Sequence, residues 1–184
     1  MEPSKEQKGK LTQILDTDPA RRKHLTDTLM AFLADKVSIA ELKGISRDNL
    51  YRIADSGYIK FKHGRIEEAF KIYQALILLD HRNAYFHTVM GAIHQKMEHP
   101  VEAIMEYTQA IRLNRNDPSS YVNRGELYLR HKNYKKAAED FRVVIIMDME
   151  GKNLWANRAR SLVIAIKRSM EADRARKGRR ITVR

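Results

Sequence analysis

The chain repeats itself every 34 residues without slippage. Gly57, Gly91 and Gly125 fall in one column, Ala69, Ala103 and Ala137 in a second, and Tyr73, Tyr107 and Phe141 in a third. A unit of this length is a pair of antiparallel helices, too small to bury its apolar face alone, so successive units must stack. The residue types fit that geometry. Where the two helices of a unit cross closely, only glycine or alanine is admitted, which accounts for the Gly57 and Ala69 columns. The aromatic column then fills the space between units. Nine positions in register point to a binding scaffold before composition enters the argument.

The order of small residue, alanine and aromatic is similar to the tetratricopeptide (TPR) pattern. The chain is therefore expected to be an all-α helix-turn-helix solenoid of three repeats, at residues 50–83, 84–117 and 118–151. Residues 1–49 form an N-terminal helical extension. Residues 1–17 are polar and expected to fray, Asp18 and Pro19 start a helix running to residue 35, and Ser38 to Lys43 make one short turn ended by Gly44. Ser46 or Asp48 caps the helix that opens repeat 1. His63-Gly64, Glu98-His99-Pro100 and Lys132-Asn133 are the turns inside the repeats, and Gly151 stops the third pair. A C-terminal capping helix is expected within 152–173, with Leu154, Trp155, Leu162, Ile166 and Met170 on its apolar side. A basic disordered tail, 174–184, follows.

Composition narrows the function. With no cysteine there are no disulfides, thiolate metal sites or cysteine nucleophiles. The polar start, Met1 to Lys10, lacks the apolar core of a secretory signal, and no run approaches the roughly 20 apolar residues of a membrane helix. A cytoplasmic protein without membrane insertion is expected. The net charge of +12 is unevenly placed: residues 152–184 hold 11 Lys/Arg against 2 Asp/Glu, whereas the repeats hold 15 against 13. Most of that excess is Arg174, Arg176, Lys177, Arg179, Arg180 and Arg184. Such a run could meet RNA or an anionic surface by counterion release. It carries no aromatics to stack on bases and no nucleic-acid motif accompanies it. The reading is a solvated tail, and no nucleic-acid partner is expected.

The first helix of each repeat should line the concave side of the stack. Its positions outside the packing columns are Tyr51/Tyr85/Ser119, Ala54/Thr88/Val122, Tyr58/Ala92/Glu126 and Phe61/Gln95/Leu129. The core columns are assigned to Ile53/His87/Tyr121 and to the glycines. The expected peptide-binding set is thus Tyr51, Tyr58, Phe61, Tyr85, Thr88, Ala92, Gln95, Val122 and Leu129, an aromatic and apolar surface of the kind that marks an interaction site. Lys62, Lys96 and Arg130 make a basic column at the rim, either gripping ligand backbone and acidic groups or simply solvated. The lysine–asparagine clamp by which some repeat proteins hold C-terminal carboxylates is absent, since Ala54 and Tyr58 occupy its columns.

Chemistry is not signalled. His87 and His94 lie seven apart in columns shared with Tyr121 and Tyr128, where packed or hydrogen-bonded histidines are expected, and no metal is assigned. The chain has no HExxH, no phosphate-cradling glycine loop and no nucleophile elbow. Glu67 and Glu68 sit at a helix start, where they complement the dipole. Neither an enzyme nor a cofactor is expected.

A longer run carries a more particular likeness. Leu42-Lys43-Gly44-Ile45-Ser46-Arg47-Asp48-Asn49-Leu50, then Tyr58-Ile59-Lys60-Phe61, Gly64-Arg65-Ile66-Glu67-Glu68-Ala69 and Leu78-Leu79-Asp80-His81 resemble the class II chaperones of bacterial type III secretion, which serve translocator proteins. The resemblance covers about residues 38–170. It implies that an extended apolar translocator segment lies in the concave groove, chiefly against Tyr58 and Phe61. It also implies self-association through the N-terminal region. Leu25, Leu29, Phe32 and Leu33 form an apolar stripe that needs covering. A homodimer through this helix is expected, the alternative being that it folds back on repeat 1. The other function that fits is a TPR scaffold or self-assembling adaptor organising a larger complex.

Overall fold

The computed structural model describes residues 18–181, with side chains described as far as Glu171. The expected fraying of residues 1–17 and the side chains of Arg174 to Arg184 lie outside the described residues. Within them the chain is helical without a strand: α1 (Pro19–Leu33), α2 (Ile39–Leu42), α3 (Arg47–Lys62), α4 (Ile66–Leu79), α5 (Ala84–Lys96), α6 (Pro100–Leu113), α7 (Pro118–Arg130), α8 (Tyr134–Met147) and α9 (Leu154–Ile181).

Local chemistry sets the helix starts. The Asp18 side chain accepts from the Ala20 N–H ahead of α1, with Pro19 at the first helical position. Ser38 and Glu41 satisfy each other's backbone N–H groups in a capping box. Ser46, Asn83 and Asp117 cap α3, α5 and α7. The turn between the two helices of each repeat places one residue in the left-handed region. These are Gly64 (φ 75°), Glu98 (φ 61°) and Lys132 (φ 58°), each 34 residues after the last. Only repeat 1 relieves that conformation with glycine.

Packing follows the register. Helices pair as α3–α4, α5–α6 and α7–α8, neighbouring pairs stack, and α9 lies against α8 and α7. Tyr73, Tyr107 and Phe141 are fully buried. Each sits on the glycine of its own repeat. A Cβ at Gly57, Gly91 or Gly125 would meet the ring at 2.9, 2.7 and 2.6 Å respectively. The three glycines therefore have like environments. Polar cross-ties lie inside the stack. Arg124 holds Asp140 with two hydrogen bonds (2.7 and 3.0 Å) and donates to Thr108 Oγ1 at 2.9 Å, joining α7, α8 and α6.

Two expectations fail here. Ile53 was placed in a core column, but it is 45% exposed. Among the described residues no second helix of an earlier repeat stands before α3 to cover it. The tail was expected to be disordered, yet α9 runs to Ile181. The segment contains no proline, and its Arg174, Ala175, Arg176, Lys177, Arg179 and Arg180 are strong helix formers that outweigh the single Gly178. At the other end, α1 buries no residue, and among the described helices it packs only on α2. No described helix is long and apolar enough to cross a membrane.

Candidate functional site

A cleft of about 710 Å³ opens along the first helices of the repeats. Tyr58 and Phe61 come from α3, Ala84, Tyr85, Thr88, Val89 and Ala92 from α5, and Trp155 from α9; Asn114, Asn116, Asp117, Pro118, Ser119 and Asn123 form the wall from the α6–α7 loop into α7. The helical period explains the grouping. In α3, Tyr58 lies one turn beyond the buried Ala54 and Phe61 nearly one turn further, so both project from one edge of the helix.

The two ends of the cleft differ in chemistry. At the N-terminal end aromatic rings cluster: Tyr58 and Phe61 have centroids 6.3 Å apart, Tyr51 and Tyr85 6.2 Å, and Tyr85 and Phe86 6.1 Å. Lys62 Nζ stands 5.9 Å from the centre of the Tyr58 ring, an approach at which a cation is attracted to an aromatic face. The C-terminal end is polar. Asp117 accepts from the Ser119 N–H (3.1 Å) and from the Ser119 and Ser120 hydroxyls, and Thr88 Oγ1 lies 2.7 Å from Ser120 Oγ. Arg158 of α9 donates to Glu126 at 2.5 Å, so that acid is already neutralised. A second, polar cleft of about 540 Å³ adjoins at Tyr85 and carries Arg47, Arg82, Lys36, Glu41 and Tyr51. There the Ser38 N–H, with the Ser38 hydroxyl and then Arg47 adding to it against desolvation, holds the Glu41 carboxyl below its ordinary range.

Of the residues expected to bind peptide, Tyr58, Phe61, Tyr85, Thr88 and Ala92 share the main cleft, and Tyr51 lines its neighbour. The others fall elsewhere. Val122 is 0% exposed, packed in a cluster with Ala156 and Ala159, and cannot touch a ligand. Ala54 is buried likewise. Leu129 packs against that same α7–α9 cluster, and Gln95 accepts a hydrogen bond from the Tyr107 hydroxyl (3.2 Å) beside a small separate pocket that includes Arg130. For Val122 and Leu129 the physical reason is α9, which covers the flank of α7 that a three-repeat count leaves open; Ala54 is instead buried in the cluster of Leu50, Tyr73 and Phe86. Lys62, Lys96 and Arg130 are exposed but line no part of the main cleft. Leu25, Leu29 and Leu33 are exposed and Phe32 half-buried. Trp155 and Asn123 were missed as cleft residues. The register offered no signal for the first, since Trp155 stands 34 residues after Tyr121, a core-column residue.

The histidines are structural. His87 Nδ1 lies 2.6 Å from Glu106 Oε2, and Nε2 lies 2.9 Å from the His81 carbonyl. Burial opposes the charged form, but these two acceptors outweigh it and raise the pKa. His94 is half-buried against Phe70, its ring centroid 5.5 Å away, and desolvation lowers its pKa. Among the described residues no three His, Asp or Glu side chains converge to hold a metal ion.

The stacked pairs, the glycine–aromatic contacts and the cleft define the class: the chain is an all-α tetratricopeptide-repeat solenoid. The tetratricopeptide repeat family model matches residues 106–139. More particularly, the chain resembles type III secretion translocator chaperones. It is 27% identical over 145 residues to the low calcium response locus protein H of Yersinia pestis, covering 78% of this chain and 86% of that one. Among solved structures it is similar to the Yersinia enterocolitica translocator chaperone SycD. In complex with a peptide of the translocator YopD, SycD is 25% identical with a TM-score of 0.62, covering 68% of this chain and 98% of that one. SycD in an alternative dimer gives 25% identity and a TM-score of 0.65, covering 69% and 98%. A chain from a T3SS complex of Aeromonas hydrophila gives 26% identity and a TM-score of 0.72, covering 79% and 98%.

Proposed function

We propose that this protein is a cytoplasmic, non-enzymatic chaperone that holds an extended apolar segment of a type III secretion translocator in the main cleft. The observation that carries the reading is the aromatic end of that cleft, Tyr58, Phe61 and Tyr85, in a fold similar to SycD, which was solved with a peptide of YopD. Rigid aromatic anchors in a concave site are what dominate peptide affinity. The experiment is fluorescence anisotropy with short overlapping peptides tiled along a translocator encoded in the same genome. Replacing Tyr58 and Phe61 together with alanine should cost about 2 kcal/mol or more, roughly 30-fold in Kd. Full affinity in the double variant would remove the cleft as the site.

We further propose a homodimer through α1, whose Leu25, Leu29 and Leu33 are left exposed. Light scattering on the full chain and on a version starting at Ser38 tests this: the full chain should be dimeric and the shortened one monomeric. Equal masses would refute it. The scaffold reading keeps one specific support, the apolar surface at the two ends of the stack, with Ile53 at one and Met149 and Leu154 at the other. Growth into large assemblies with concentration, rather than a closed dimer, would favour it.

A further inference from the structure

The second cleft opens from the aromatic end of the first, since Ala84, Tyr85 and Asn114 line both. Its charged walls come from the junctions between elements: Lys36 from the α1–α2 linker, Glu41 from α2, Arg47 from the first turn of α3, and Asp80 and Arg82 from the turn between repeats 1 and 2. Three cations thus stand against two acids, and both acids are already engaged. Glu41 accepts from the Ser38 N–H at 2.7 Å and Asp80 from the Arg82 N–H at 3.3 Å. The cations are not. Among the described residues Lys36 Nζ has no partner, and Arg47 reaches Glu41 only at 3.9 Å with its side chain 83% exposed. Arg82 is pinned through one guanidinium N–H to the Lys36 carbonyl, and its other side-chain donors are unpaired.

We propose that the second cleft takes acidic side chains of the client, next in sequence to the apolar residues held by Tyr58, Phe61 and Tyr85. A segment leaving the aromatic end past Tyr85 runs onto Lys36, Arg47 and Arg82. Covering those cations with apolar residues would desolvate them without compensation, and basic residues would be repelled. A carboxylate pairs with them instead, and an arginine already fixed at one N–H presents its remaining donors at little further entropic cost. This site is separate from the clamp for C-terminal carboxylates, whose columns hold Ala54 and Tyr58. Its cations lie at turns and a helix start, and its ligands are side chains within the client. Client choice is then a two-part code, apolar in one cleft and acidic in the next. This rests on the chaperone reading above.

The test uses the tightest-binding peptide of the tiled translocator series. The two residues just before its apolar core, or the two just after it, are replaced by Asp-Asp, Ser-Ser or Lys-Lys. Anisotropy is read at about 0.1 M and about 1 M salt, where the Debye length falls from about 10 Å to about 3 Å. At one end of the core only, Asp-Asp should bind about fivefold tighter than Ser-Ser at the lower salt, and Lys-Lys about fivefold weaker. Both differences should vanish at the higher salt. Lys36→Glu with Arg47→Glu should reverse the order at that end. Lys167→Glu with Arg168→Glu makes the same change in net charge on exposed residues that line neither cleft, and should leave the order as it was. Equal affinities for the three peptides at both ends overturn the inference. So does a preference that the two double charge reversals alter alike, which is attraction to net charge alone. Either result, with the Tyr58/Phe61 double variant impaired, leaves the cleft reading intact. If that variant binds every peptide as wild type does, the cleft reading itself fails and this inference with it.

Discussion

Gly91→Ala is the sharpest perturbation the stack offers. Helix propensity alone argues for stabilisation, since alanine is favoured over glycine inside a helix by about 1 kcal/mol. The packing argues the other way. A Cβ at Gly91 would lie 2.7, 2.8 and 3.0 Å from Cε1, Cδ1 and Cζ of Tyr107, well inside ordinary contact. That ring cannot swing aside. It is fully buried in the repeat, and its hydroxyl is held by Gln95. Overpacking of this kind costs about 1–3 kcal/mol, and three clashing atoms of a rigid ring place it at the upper end. The net loss is then about 2 kcal/mol, which for a chain of this size lowers the melting temperature by about 4–8 °C. Urea and thermal unfolding followed by circular dichroism would measure it. On a Tyr107→Leu background, the same alanine should cost less than 1 kcal/mol, roughly the lower limit of overpacking, because the shorter side chain clears the Cβ. Gly91→Ala as stable as wild type would show that α5 and α6 slide apart freely, and that the glycine column is not set by the aromatics.

His87 gives a pH dependence with a definite sign. Its pKa is raised on folding, so its contribution is fully present below the ordinary histidine value of about 6.5 and is lost as pH rises through the folded value. Urea midpoints should therefore fall between about pH 6 and the alkaline side of neutrality, and His87→Gln should flatten that fall. Asp140→Ala leaves the Arg124 guanidinium, 16% exposed, without its carboxylate, and should cost about 3–5 kcal/mol in chemical denaturation. A loss under 1 kcal/mol, the scale of an exposed pair, would mean that water replaces the acid. A chain ending at Ala172 keeps the buried Ala156, Ala159 and Ile166 of α9, so its melting temperature should match the full chain. A drop of several degrees would show that the rest of α9 packs.

The repeats were legible because their signal is redundant: each glycine is checked by an alanine twelve residues on and an aromatic four beyond that. The turns and caps were legible for a local reason, as Asp18-Pro19, Ser46 and Gly64 each act within a few residues. The cleft was only half legible. Tyr58, Phe61 and Tyr85 could be placed from helical period alone, because nothing stands in front of them. Val122 could not, because whether a helix flank faces solvent depends on what packs on it, and α9 is what buries it.

That helix exposes the weak step in reasoning by columns, which is where the columns are taken to stop. The 34-residue register continues past Gly151. Trp155 follows Tyr121, Ala156 follows Val122 and Ala159 follows Gly125, with Ala156 and Ala159 fully buried. The start of α9 thus takes the place of the first helix of a fourth repeat, and among the described residues no second helix follows it. Ala159 stands in the glycine column and is fully buried in the cluster with Phe141 and Val144. From the same helix Trp155 lines the cleft and Arg158 pairs with Glu126. At the opposite end the argument runs in mirror image: Ile53 sits where a preceding second helix would cover it, and stays exposed. A solenoid is therefore periodic in its interior and specific at its ends. Here the start of α9 contributes Trp155 to the cleft, while Ile53 and the apolar stripe of α1 are exposed among the described residues.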